Sequence, residues 1–168
     1  LTILAIAASA ACIAMGLWQG HRTLDILEAE RAAASAPIPI GEAMTLDGYP
    51  GESIGRPVTA SGTYADGQLL VDHRELNGRD GLWVVTPLRM ADATVVVLRG
   101  WVPSAGGTDL AIPAAPVEVS GVLQPFEDFY AAQPRRSDGQ LVAISRPEIE
   151  RAWGTEVLAG VVVLTGQV

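Results

Sequence analysis

Lysine is absent from this chain: its eleven basic side chains are all arginine, against nineteen acidic ones, for a net charge of −8. An acidic chain without a basic cluster is poorly matched to a phosphate backbone, which sets nucleic acid aside as a partner. Cysteine is almost absent too. The one thiol, Cys12, cannot staple a domain, and CxxC redox chemistry and cysteine-built zinc sites are excluded. No G-x-S-x-G elbow, H-E-x-x-H helix, EF-hand loop, P-loop or G-x-G-x-x-G turn occurs, so the expectation is a protein that is not an enzyme and holds no metal.

What the chain does have is apolar surface to bury. Of its 168 residues 49% are hydrophobic and 18% charged, which suits one folded domain rather than a disordered segment. The excess collects at the start. LTILAIAASAACIAMGLW, Leu1 to Trp18, carries no charge and only Thr2 and Ser9 as polar side chains. As a helix it would span about 27 Å, enough for a hydrocarbon core. A cleaved signal peptide would show a shorter core ending near Ala8-Ser9-Ala10. A lipoprotein would be processed at Cys12. In both cases apolar sequence runs on past the site, so residues 1–18 read as an uncleaved transmembrane helix. Trp18 stands where an interfacial aromatic belongs, followed by Gln19, His21 and Arg22.

Beyond the membrane, TLDILEAERAAASA predicts a helical stalk over 19–36, with Glu28 and Arg31 at i,i+3 spacing and Pro37 and Pro39 ending it. Residues 37–168 then read as an extracytoplasmic β-domain. RPVTASGTY leads through Ala65-Asp66-Gly67 into QLLVDHRE as a hairpin. The segments LWVVTPL, TVVVLRGWV, PVEVSGVLQ, QLVAIS and VLAGVVVLTG give further strands. Ser145 to Gly154 predicts one short helix, with Ser145 as N-cap, Pro147 near the first position and Gly154 just past the end. The fold class expected is mainly β (α+β): an antiparallel barrel or sandwich behind a membrane helix and stalk.

Two histidines bear on cofactors. His73 lies in a strand, where alternation turns Asp72 to the opposite face and leaves His73 a polar residue on a solvated one. His21, with Met15 and Cys12 one to two turns below it, is a haem-ligand candidate beside its plainer reading as an interfacial polar residue. In TVVVLRGWV, strict alternation makes Arg99 and Trp101 same-side neighbours, with Gly100 leaving room on the other face for a bulge or another backbone. Two roles fit: a structural clasp at a barrel rim, or a patch that docks a partner.

The order of these pieces resembles the surfeit-locus-one family, membrane proteins that assist assembly of cytochrome c oxidase. Gly16-Leu17-Trp18-Gln19-Gly20-His21-Arg22 matches its G-x-W-Q-x-x-R helix exit. Gly62-Thr63-Tyr64 matches its G-x-[YF] strand end, and Arg74 to Leu88 its R…G…G…T-P-L segment with one extra residue. Arg99-Gly100-Trp101-Val102-Pro103 is its R-G-W-V-P hallmark, and Val117 to Gly121 its V-x-V-x-G strand. Leu98 stands where an asparagine-type residue is usual.

The resemblance implies an assembly or stabilisation factor for an a-type haem-copper terminal oxidase. Its partners would be the catalytic subunit and the lipid bilayer, in a bacterial plasma membrane. It further implies assistance in haem a insertion, with transient contact rather than a resident cofactor, and a second membrane helix beyond residue 168. Trp18, Gln19 and Arg22 would meet the membrane interface or partner; Arg99, Gly100 and Trp101 would form the rim. The alternative is a permanent accessory subunit of a respiratory supercomplex that handles no haem.

Overall fold

The computed structural model of the chain describes residues 14–18, 35–49, 51–103, 111–127 and 140–167. Residues 14–18 are helical and exposed; the rest of the expected membrane helix, and all of the stalk but 35–36, lie outside the described residues. Among the described residues no helix is long and apolar enough to cross a membrane.

The β-domain is one sheet of seven strands: β1 (Ile38–Pro39), β2 (Pro57–Tyr64), β3 (Leu69–Leu76), β4 (Arg79–Arg89), β5 (Thr94–Pro103), β6 (Val117–Gln124) and β7 (Val161–Gln167). Three short helical pieces accompany it: α1 (Ile40–Ala43), a 3-10 turn at Gly51–Ser53, and α2 (Arg146–Trp153). The sheet runs β1-β2-β6-β7-β5-β4-β3, and an additional β2–β4 pairing closes it on itself. The result is a Greek-key barrel of β2, β6, β7, β5 and β4, related in connectivity to OB domains. β3 adds to the outside edge of β4 and β1 to that of β2.

The apolar runs explain themselves once both faces of the sheet are followed. Val95 and Val97 point into the barrel with Val58, Leu88, Val119, Leu123 and Val162, and Ile40, Ala43 and Met44 around α1 pack against this core. Val96 and Leu98 point outward with Val71, Val85 and Val161, beneath Leu141, Ile144, Ile149 and Val157. A strand buried on both faces has no polar face to show, which is why TVVVL reads as an unbroken run. Each such side chain contributes about 1.5–3 kcal/mol on burial.

The structure alters the expectation at four places. The sheet is mixed, not antiparallel: within the barrel β5 pairs parallel with β7, and at the edge β1 pairs parallel with β2. The β5–β7 pair needs a crossover connection, and the chain supplies one by laying β6 and the α2 region between the two strands. β2 and β3 form no hairpin. β2 pairs with β6 and β4, and after Tyr64 the chain is held by Ala65 N–H donating to Pro87 O at 2.9 Å.

QLVAIS is not a strand; only Leu141 bridges to Val71, its N–H donating to Leu70 O while its carbonyl accepts from Asp72 N–H, both at 2.8 Å. This segment is needed as a lid on the outer core instead. The helical content is also larger than one helix, because the chain entering the barrel turns through α1 and the 3-10 piece. α2 falls where the sequence put it. Gly154 closes it at φ 65°, donating to Glu150 O, although the Ser145 hydroxyl makes no capping bond.

Candidate functional site

The residues with chemistry gather where two β-bulges flank β4. On β3 the register slips between Val71, opposite Trp83, and Arg74, opposite Gly81. The extra residue is taken up at His73, whose φ is 57°. The bulge undoes the expected alternation. Asp72 and His73 come side by side, with Oδ2 to Nε2 at 3.5 Å, instead of pointing to opposite faces. The His73 side chain is 71% exposed.

On β5 the slip falls between Leu98, opposite Val85, and Gly100, opposite Val84, so Arg99 is the extra residue. Gly100 has φ 154°, a value L residues rarely adopt. This bulge overturns the expectation that Arg99 and Trp101 share a face. The Arg99 guanidinium lies over the ring of Tyr64, Cζ to centroid 4.7 Å, in the direction of the barrel core. Trp101 stands opposite Trp83 and so shares the outer face with it.

Each of the two side chains has its own partners. Arg99 Nη2 donates to Ala111 O at 2.9 Å, while its buried Nε and Nη1 make no hydrogen bond of ordinary geometry among the described residues. The Tyr64 hydroxyl donates to Gln167 Oε1 at 3.2 Å. Burial pushes the Tyr64 hydroxyl's pKa up from its usual 10.0, against the opposing pull of Arg99. Trp101 Nε1 donates to Arg74 O at 2.7 Å, and its ring occupies the space a side chain at Gly81 would need.

Arg74 ties the outer layer down. Its guanidinium stacks on Trp83, Cζ to centroid 4.2 Å, and Nη2 donates to Glu127 Oε2. The same carboxylate oxygen accepts from Ile144 N–H at 2.8 Å, and Glu127 N–H donates to Ile144 O at 2.9 Å. Gly62 completes the arrangement at the barrel seam, where a Cβ would collide with Arg89 O. Tyr64, Arg74, Gly81, Arg99 and Trp101, read from sequence as separate motif pieces, therefore fall into two sets of contacts on the two faces of the sheet: Tyr64 with Arg99, and Arg74 and Gly81 with Trp101.

Of the residues expected at the membrane interface, Trp18 is helical and exposed, and Gln19 and Arg22 lie outside the described residues, as does the haem candidate His21. His73 is the histidine that is described, and an imidazole so exposed lacks the apolar enclosure that holds a macrocycle. The described residues do not bring together three or more His, Cys, Asp or Glu side chains able to hold a metal.

Sequence reasoning missed Glu127 and Trp83. Arg74 and Glu127 are 53 positions apart, and no spacing rule links them.

The model of the SURF1 family matches residues 6–167. This chain belongs to the SURF1 family. Comparison with curated proteins gives no match. The SURF1 family is associated with cytochrome oxidase assembly. The match continues past β6 through Glu127, α2 and β7, so the layer that Arg74 clamps onto the barrel belongs to the SURF1 domain as much as the R-G-W-V-P strand does.

Proposed function

We propose that this SURF1-family chain is a non-catalytic assembly or stabilisation factor for an a-type haem-copper terminal oxidase. It acts on the extracytoplasmic side of the cell membrane, anchored by the apolar helix of residues 1–18. The observation that carries the reading is the family match over residues 6–167. The contacts favour a scaffold over a catalyst. Tyr64, Arg74 and Trp101 each spend a hydrogen bond on a partner within the chain. The finer part of the proposal is that the factor meets the catalytic subunit before maturation and assists arrival of haem a.

The test is capture of the protein from its native membrane in mild detergent, alongside a deletion strain. The reading expects immature catalytic subunit with the captured protein, and a fall in haem a and oxidase activity on deletion. Capture of mature oxidase in fixed stoichiometry would replace the assembly reading with that of a resident supercomplex subunit. Unchanged haem a and activity on deletion would overturn both.

A further inference from the structure

Among the described residues the outer core is not filled. Between the outward faces of β5 and β7 and the segment that covers them lies a pocket of about 230 Å³, open on one side. Trp83, Leu98, Val161 and Val163 make its sheet wall, Phe126 and Ile144 line the cover, and Gln124, Pro125 and Glu127 stand at its margin. Protein interiors leave few voids larger than a water molecule, and a void walled by aliphatic and aromatic groups offers water no partners. Other members of the same cluster, Val85, Val96 and Ile149, are fully buried, so the opening is local.

We propose that this pocket binds the hydrocarbon chain of an amphiphile, and that it selects the chain rather than the head group. Size sets the first part: since an apolar cavity of about 150 Å³ admits benzene, this pocket admits roughly nine carbons. Lining sets the second. Glu127, at the pocket wall, already has one carboxylate oxygen bonded to both Arg74 and Ile144 N–H, so its charge is matched within the chain. The same contacts argue against a peptide strand. Glu127 N–H donates to Ile144 O and Ile144 N–H to the Glu127 carboxylate, which leaves no open backbone edge there to pair with a second chain. The inference is independent of the oxidase reading and survives its failure.

The experiment uses the full chain in lipid nanodiscs and a ten-carbon fatty acid bearing a terminal diazirine. Irradiation is expected to label the peptides carrying Phe126, Ile144 or Val163. Decanol and decanoate should compete equally, which tests indifference to the head, and farnesol tests whether a branched isoprenoid chain is also accepted. Val163→Phe fills the pocket and should cut that labelling at least fivefold with an unchanged melting temperature. Val163→Leu, a smaller filling, should give an intermediate fall and serves if the larger variant does not fold. Labelling confined to residues 1–18, or unaffected by either substitution, overturns the proposal, as does competition by decanoate alone.

Discussion

Trp101 is only half-buried, yet it joins three strands: it sits on β5, its indole N–H reaches Arg74 O on β3, and its ring covers Gly81 on β4. Trp101→Ala removes the ring and strands a carbonyl, and should cost about 3 kcal/mol in urea unfolding. Trp101→Phe keeps most of the packing and should cost about 1 kcal/mol, the hydrogen bond alone. Tyr64 gives a pH signature. Burial raises its pKa above 10.0, so the folded state holds the phenolic proton more tightly than the unfolded chain does. That contribution is complete below pH 10 and is lost as pH climbs through the raised folded value. Tyr64→Phe forfeits the bond to Gln167 at neutral pH, about 1 kcal/mol. The gap in melting temperature between the two proteins should narrow above pH 10; a gap that stays constant would refute the assignment. At this scale the sequence singled out Arg99 and Trp101 but not where they point, and it passed over Glu127 and Trp83. Alternation was the right rule for β5 as far as Leu98, and the bulge at Arg99 broke it. Gly100 was the one visible hint.

Among elements, turns were the most legible part. Asn77-Gly78-Arg79-Asp80-Gly81 reads as a turn into LWVVTPL, and the structure confines it to Asn77 and Gly78, at φ 53° and 73°, with β4 already begun at Arg79. Pairing was less so, because Ala65-Asp66-Gly67 looks like a hairpin turn while β2 in fact closes the barrel against β4 through Thr63–Arg89 and Tyr64–Leu88. Local turn chemistry cannot say which distant strand has the better apolar face to offer. The seam is short, and Gly62 permits it. Gly62→Ala should therefore push β2 from β4 and cost about 2 kcal/mol, as overpacking does. Hydrogen exchange would report it as lost protection confined to the seam, notably at Ala65 N–H. An even loss over the whole sheet would mean that the seam is not where the strain falls.

At the scale of the whole molecule the described residues form two large cores on the two sides of one sheet, beside a small cluster of Leu82, Val84 and Val102, and the two large ones are not equally fastened. The barrel core is enclosed by the closed sheet and by Ile40, Ala43 and Met44 around α1. The outer layer is held over β4, β5 and β7 by its own apolar contacts and by the Arg74–Glu127 clamp. Native-state hydrogen exchange should show amides of the outer layer, such as Ile144 and Ile149, opening at lower free energy than Val97 or Val119 in the barrel. Arg74→Met should widen that difference. Identical opening energies would mean one cooperative unit. The position of β7 carries a consequence for how such a protein is made. β7 comes last among the seven strands, yet it is inserted between β5 and β6, pairing with both. A ribosome or a translocon delivers the chain in order, so β5 and β6 must wait beside each other with a vacant slot until Val161–Gln167 arrives. During that interval the domain is an open clamp with unpaired edges, and a nascent chain cut short before residue 161 has no route to closure.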